Sequence, residues 1–190
     1  MEDRDALFDM IYAKSFQYTT DIITLSSGRK TNYYFDLKQI TGNPVGINLA
    51  GKLLYEKIKQ LDNINSVGGL ESGSISISTI ISSLSDRQNE SKVASFYVRK
   101  NAKSHGLGKQ VEGVVISPTV IVDDVITTAG SALKAVHILK EMDIEIKSLL
   151  SIVYRGTKDD MKQLEQNNNI PIHTLFFEQE FIERYDQRQH

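Results

Sequence analysis

Residues 119–140, TVIVDDVITTAGSALKAVHILK, decide how the rest of the chain is organised. The run Val120-Ile121-Val122 is β-branched and wholly apolar, the pattern of a short strand buried on both faces. Asp123 and Asp124 follow at once, and then Val125 and Ile126. Thr127, Thr128, Ala129, Gly130 and Ser131 are small or hydroxylated. Beyond them Ala132, Ala135, Val136, Leu139 and Met142 recur at helical spacing. The stretch therefore predicts strand, small-residue loop, helix. Such a loop can wrap its backbone N–H groups around a phosphate, and the helix start adds its dipole. No Gly-Lys-Ser/Thr follows, so this is not a Walker A loop. It contains no G-x-G-x-x-G, so it is not a dinucleotide fingerprint either.

Carboxylates beside a phosphate repel it unless they serve another part of the ligand. Ribose hydroxyls are donors that Asp123 and Asp124 can accept from, and a nearby Mg²⁺ would also be drawn to them. A phosphorylated ribose meets both conditions. The plainer alternative is a buried strand ending in a solvated acidic turn and a helix cap. The local pattern alone leaves the two level.

The remainder of the chain sets the frame. Its 190 residues suit one domain with a sizeable core. A hydrophobic content of 40% with 24% charged residues is ordinary for a globular protein, and a net charge of −2 gives no reason to expect nucleic acid as a partner. The chain has no cysteine, which excludes a disulfide framework and thiolate metal sites and suits a cytoplasmic location. MEDRDALFDM lacks the apolar core of a signal peptide, and no run is long enough for a membrane span.

The pattern predicts a helix over 6–16, then a hairpin with strands at 22–25 and 33–37. The aromatic trio Tyr33, Tyr34 and Phe35 suits either a core or a platform for a flat ligand, with core favoured. Asn43 and Pro44 form a helix entry, and Leu49, Leu53, Leu54, Ile58 and Leu61 mark the helix. A strand is expected at 66–70, followed by the small-residue turn Glu71-Ser72-Gly73-Ser74 and a helix carrying Ile77, Ile80, Ile81 and Leu84. A strand at 93–98 runs into Arg99, Lys100, Lys103, His105 and Gly106, a basic, glycine-bearing loop able to close over an anion. Further strands are expected at 114–116, 148–154 and 172–177, and a short helix at 160–166. Residues 166–169 look loop-like, and 178–190 form a polar tail, either helical or unstructured. From residue 61 strands alternate with helices, the signature of an α/β fold with a mostly parallel central sheet flanked by helices. Ligands bind such sheets at the carboxyl ends of strands. The turns at Glu71 to Gly73, Arg99 to Gly106, Asp123 to Ser131, and Arg155 all fall at such ends.

The segment VIVDDVITTAGSA resembles the 5-phosphoribosyl-1-diphosphate (PRPP) motif of type I phosphoribosyltransferases. Three further segments resemble those of orotate phosphoribosyltransferases in the family order: LSSGRKTNYYFD from Leu25, GGLESGSISIS from Gly68, and VRKNAKSHG from Val98. Arg155 matches an arginine that contacts the orotate base. The resemblance implies a type I phosphoribosyltransferase fold in one domain, with a small N-terminal hood (1–42), a core (43–177) and the polar tail (178–190). It implies transfer of ribose 5-phosphate from PRPP to orotate, in pyrimidine (UMP) biosynthesis, with Mg²⁺ held mainly through PRPP and at most through water by Asp123 or Asp124. It also implies a homodimer in which loop 99–108 completes the partner's site.

Carried over residue by residue, the resemblance makes Lys103, His105, Asp123 and Asp124 catalytic. PRPP and pyrophosphate would be bound by Arg99, Lys100, Lys103, His105, Ser72, Gly73, Asp123, Asp124, Val125, Ile126, Thr127, Thr128, Ala129, Gly130 and Ser131. Orotate would be bound by Tyr34, Phe35, Thr127 and Arg155. Ser26 and Ser72 stand where many members carry lysine. Two other functions compete. One is a phosphoribosyltransferase for another base, against which YYFD and the His105 loop speak. The other is a non-catalytic PRPP-sensing regulator, which would need a DNA-binding module that the sequence does not display.

Overall fold

The computed structural model describes residues 2–24, 28, 30–87, 92–101 and 110–189. Ser26, Lys103, His105, Gly106 and Gly108 lie outside them. The chain opens with helix α1 (Glu2–Lys14), whose first turn carries Glu2, Asp3 and Asp5 at the positive end of its dipole. The helix ends earlier than its pattern predicts. Phe16 instead starts strand β1 (Phe16–Thr24), which pairs antiparallel with β2 (Lys30–Phe35). The Asp36 N–H donates to the Ser15 carbonyl at 2.9 Å and draws Ser15 and Phe16 out of the helix.

A short α2 (Lys38–Thr41) leads to α3 (Pro44–Ile58). Its entry is as expected: the Asn43 side chain accepts from the N–H groups of Val45 and Gly46, with Pro44 in the first turn. Then follow β3 (Ser66–Gly68), α4 (Gly73–Arg87), β4 (Ala94–Val98), β5 (Val111–Gly113), β6 (Thr119–Ile126), α5 (Gly130–Lys140), β7 (Ile146–Tyr154), α6 (Lys158–Asn168), β8 (Ile172–Phe177) and α7 (Glu178–Gln189). The described residues form a six-stranded sheet in the order β5-β4-β3-β6-β7-β8, parallel apart from the β4–β5 pair. The mostly parallel sheet is therefore as expected.

Two further local expectations are corrected. The strand expected at 114–116 is instead β5, three residues earlier. Gly113 has φ +96°, and a Cβ there would sit 2.6 Å from the Ser95 carbonyl oxygen, so the chain turns off the sheet and leaves Val114 and Ile116 exposed. Helix α6 starts earlier and ends later than expected. Thr157 and Asp160 form a reciprocal capping box, and Asn169 stops the helix in a left-handed conformation, φ 50°. Of the two forms left open for the polar tail, Glu178–Gln189 takes the helical one, and Phe181 is fully buried.

Alternation along β6 explains its continuous apolar run. Val120 and Val122 face α3 and α4, packing with Leu54, Ile77 and Ile81. Ile121 faces the other way, against Ala132, Ala135 and Leu139 of α5. Helices α1 and α7 close one end of the first layer. Phe8 stacks on Phe181 with ring centroids 4.5 Å apart, and Arg4 pairs with Glu180 at 2.6 Å. The β1–β2 hairpin lays Phe16, Tyr33 and Phe35 into the same aromatic cluster.

Candidate active site

Strand β6 delivers its two carboxylates at the carboxyl edge of the sheet. Asp123 is only 8% exposed, and Asp124 is half-buried. The Asp124 N–H donates to Asp123 Oδ1 at 3.0 Å, and the Val125 N–H donates to Asp124 Oδ1 at 2.9 Å. Burial pushes the Asp123 carboxyl up from 3.8 to about 8, and the neighbouring charge of Asp124 adds to it. The ammonium of Lys38, on α2, acts in the opposite direction. Asp123 therefore keeps its proton near neutral pH.

The loop after β6 then makes an anion-ready turn. Ala129, at φ 56°, precedes α5 and has no side-chain oxygen with which to cap it. The first N–H groups of the helix thus point into the loop, beside the exposed Thr128, Gly130 and Ser131. Ile126 is buried and Val125 packs against the core, so these two can serve a ligand only through their backbones.

The turn after β3 lies directly against the acidic pair. A Cβ on Gly73 would overlap Asp123 Oδ1 and would stand 2.8 Å from Asp124 Oδ1. Ser72, next to it, is exposed, and the Glu71–Ser72 peptide is cis. Glu71 reaches sideways, accepting the Lys100 N–H at 2.9 Å, while Lys134 on α5 donates to the Lys100 carbonyl at 2.5 Å. Arg99 leans the other way. Its Nε donates to Glu112 on β5 at 3.0 Å, and Nη2 to the Tyr97 hydroxyl at 3.4 Å.

Arg155 follows β7 beside the loop after β6, its N–H donating to the Ile126 carbonyl at 2.8 Å. Its guanidinium lies 5.1 Å from the Tyr33 ring centroid and 5.4 Å from that of Phe35. Period-two alternation on β2 divides the aromatic trio. Tyr33 and Phe35 are buried in the core, and Tyr34 is 44% exposed on the opposite side. Of the two aromatic residues expected at the base, only Tyr34 offers an open ring. Thr127, Thr128, Tyr154, Arg155 and Glu178 line part of a cleft of about 1100 Å³ that also touches α6 and α7.

The structure thus gathers Gly73, Asp123, Asp124 and the loop after β6, with Arg155 beside them. Lys38 and Glu178 were not singled out from sequence, and Glu71 was named only as part of its turn. Lys38 follows closely on the recognised LSSGRKTNYYFD segment, which was the available signal. Glu178 sits in a segment whose composition gives none. Among the described residues no group of three His, Cys, Asp or Glu side chains could hold a metal ion. The carboxylate pair, Asp123 buried and Asp124 half-buried, is of the hard-oxygen type that a hydrated Mg²⁺ already carried by a diphosphate would meet.

No protein-family model matches the chain. Whole-chain relatives do. The orotate phosphoribosyltransferase of Rhodopseudomonas palustris (strain BisB5) is 35% identical over 187 residues, covering 95% of this chain and 97% of that one. Its counterpart from Aquifex aeolicus (strain VF5) is 34% identical over 180 residues, covering 93% and 96%. Among solved structures, orotate phosphoribosyltransferase of Mycobacterium tuberculosis H37Rv in complex with PRPP is similar at a TM-score of 0.73, with 25% identity over 94% of this chain and 98% of that one.

Proposed function

The chain belongs to the orotate phosphoribosyltransferase family, and on that premise we propose how its residues divide the work of the reaction. It transfers ribose 5-phosphate from PRPP to orotate, giving orotidine 5′-phosphate and pyrophosphate, in pyrimidine biosynthesis. A bond forms between orotate N1 and the anomeric carbon, and the bond from that carbon to the diphosphate oxygen breaks. The electron pair of the broken bond leaves with pyrophosphate, and the N1 proton is released.

The backbone N–H groups from Thr127 to Ser131 hold the 5′-phosphate at the start of α5. Asp123 and Asp124 accept hydrogen bonds from the ribose hydroxyls and flank the sugar as positive charge builds on it. Orotate carries a carboxylate and needs little activation, so catalysis rests on stabilising the leaving pyrophosphate and excluding water. Lys100, Lys103 and His105 supply that stabilisation from loop 99–108, with Ser72 and Gly73 beside the diphosphate. Arg99 joins them by exchanging Glu112 for a phosphate oxygen. Tyr34 and Arg155 receive the base, with Phe35 behind the arginine and Thr127 at its edge. Asp123 and Asp124 would face, through water, a Mg²⁺ carried in by PRPP, which would supply charge neutralisation for the diphosphate.

We further propose a cytoplasmic homodimer whose loops 99–108 complete each other's sites. Among the described residues no helix is long and apolar enough to cross a membrane, and the chain carries no cysteine.

The observation that carries this reading is the contact of Gly73 with the Asp123–Asp124 pair at the mouth of α5, in a chain 35% identical to a curated orotate phosphoribosyltransferase. The test is orotate consumption with PRPP and Mg²⁺, run beside Asp124→Asn. Wild-type protein should turn over orotate and no purine base. Asp124→Asn should lose PRPP affinity by calorimetry while melting normally. Turnover of a purine base in place of orotate would overturn the assignment, and unchanged PRPP affinity would overturn the role of Asp124.

A further inference from the structure

We propose that Glu178 is a positioning residue for orotate recognition, fixing the guanidinium of Arg155 and the strand that carries Tyr34 in one rigid junction. The proposal rests on Arg155 serving the base. Glu178 is the first residue of α7 and is 4% exposed; Arg155 is 5% exposed. One oxygen, Glu178 Oε2, accepts from both the Tyr33 hydroxyl at 2.8 Å and Arg155 Nε at 3.4 Å. Arg155 Nη2 donates to the Tyr33 carbonyl at 3.3 Å, and the guanidinium lies over the Tyr33 ring. Tyr33 thus touches the arginine through its ring and backbone, and reaches the glutamate through its hydroxyl.

Three segments far apart in the chain meet here: β2 of the hairpin, the end of β7, and the start of α7. Tyr34 is the next residue along β2 and is exposed on the other side of the strand. Fixing Tyr33 therefore fixes the ring beside it. A planar guanidinium recognises a carboxylate through a fork of donors, which works only in a set orientation. A carboxylate at Nε turns the fork about the end of the side chain and holds it there. A long cationic side chain without that partner would sample other rotamers, and orotate would have to order it on binding. PRPP, held by the loop after β6, would not notice the change.

The experiment is steady-state kinetics of the intact enzyme with Glu178→Ala, Glu178→Gln, Tyr33→Phe, Arg155→Ala and the double variant of Arg155 and Glu178. Glu180→Ala is the control. Glu180 lies in the same helical turn, caps the Phe177 N–H and pairs with Arg4. Glu178→Ala should raise the KM for orotate about tenfold, the scale of one charge-assisted hydrogen bond, and leave the KM for PRPP within about twofold. Glu178→Gln keeps the acceptor oxygen and should recover much of that loss. Glu180→Ala should lower Tm and leave both KM values alone. The double variant should be no worse for orotate than Arg155→Ala alone.

If Arg155→Ala leaves the orotate KM unchanged, the reading of Arg155 itself fails. If Arg155→Ala raises it but Glu178→Ala does not, or raises both KM values equally, the positioning role alone is overturned. Additive losses in the double variant also overturn it. Should Glu178→Ala fail to fold, Tyr33→Phe, which removes the hydroxyl that Glu178 accepts from, decides. A selective rise in orotate KM in folded protein supports the role, and two unchanged KM values overturn it.

Discussion

Gly73 and Asp123 touch without room for a side chain between them: a Cβ at Gly73 would overlap Asp123 Oδ1, the oxygen already held by the Asp124 N–H. The turn after β3 and the end of β6 are thereby locked at one separation. Gly73→Ala must move one of them. We expect a stability loss of roughly 1–3 kcal/mol, the usual cost of overpacking, together with a larger loss of PRPP affinity. Denaturant unfolding and calorimetry check the two separately. A folded Gly73→Ala protein with normal PRPP affinity would show that this contact does not shape the site.

The Asp123 carboxyl gives a pH signature to stability. Its value is raised from 3.8 to about 8 in the folded protein, by burial first and by Asp124 second. Between those values the folded state keeps a proton that the unfolded chain has released. The stability tied to this group is therefore full below about pH 4 and is lost as pH rises towards 8, at no more than about 1.4 kcal/mol per unit. Asp123→Asn lacks this slope. Denaturation midpoints of wild type, measured against Asp123→Asn, should fall from about pH 5 to pH 8 and then level off. Parallel curves for the two proteins would contradict the raised value.

Lys103 lies outside the described residues, and its prediction follows from chemistry. An ammonium acting on the leaving diphosphate stabilises the transition state more than bound substrate. Lys103→Ala should therefore lose about a hundredfold or more in kcat with little change in KM. Retained kcat with a raised KM would make it a ground-state binder.

Sharing of sites between subunits can be read by complementation. Lys103→Ala and Asp124→Asn protomers, each nearly inactive, are refolded together in equal amounts. Half of the dimers are mixed, and under two-fold symmetry one site in each mixed dimer receives both intact residues, so roughly a quarter of wild-type activity should return. No recovery, with mixed dimers confirmed by mass spectrometry, would place each loop over its own site.

The elements legible in the sequence were those with a local cause. Val120-Ile121-Val122 had to be a buried strand, Asn43 and Pro44 a helix entry, and the small residues after Asp124 a turn. The misplaced elements have causes at a distance. Phe16 leaves its helix because Asp36, across the hairpin, binds Ser15. Strand β5 is three residues long and ends where Gly113 meets the Ser95 carbonyl of another strand. In the site, Gly73 could be named from its turn, but its contact with Asp123 joins residues fifty positions apart. Glu178 is the extreme case. Its partners are Tyr33 and Arg155, 145 and 23 residues away. A polar composition around it (EQEFIERYDQRQ) hides the buried Phe181 that anchors the helix.

The proton kept by Asp123 also bears on the first encounter with substrate. PRPP arrives as a polyanion, and the loop proposed to hold its 5′-phosphate follows directly on Asp123 and Asp124. With the proton in place, Asp123 adds no negative charge beside that loop, and long-range repulsion of the incoming anion is reduced accordingly. Ionisation of Asp123 above about pH 8 would restore the second charge, slowing capture most at low ionic strength, where screening is weakest. The burial that raises Asp123 thus tunes how quickly an anion can enter, before any bond to the sugar is made or broken.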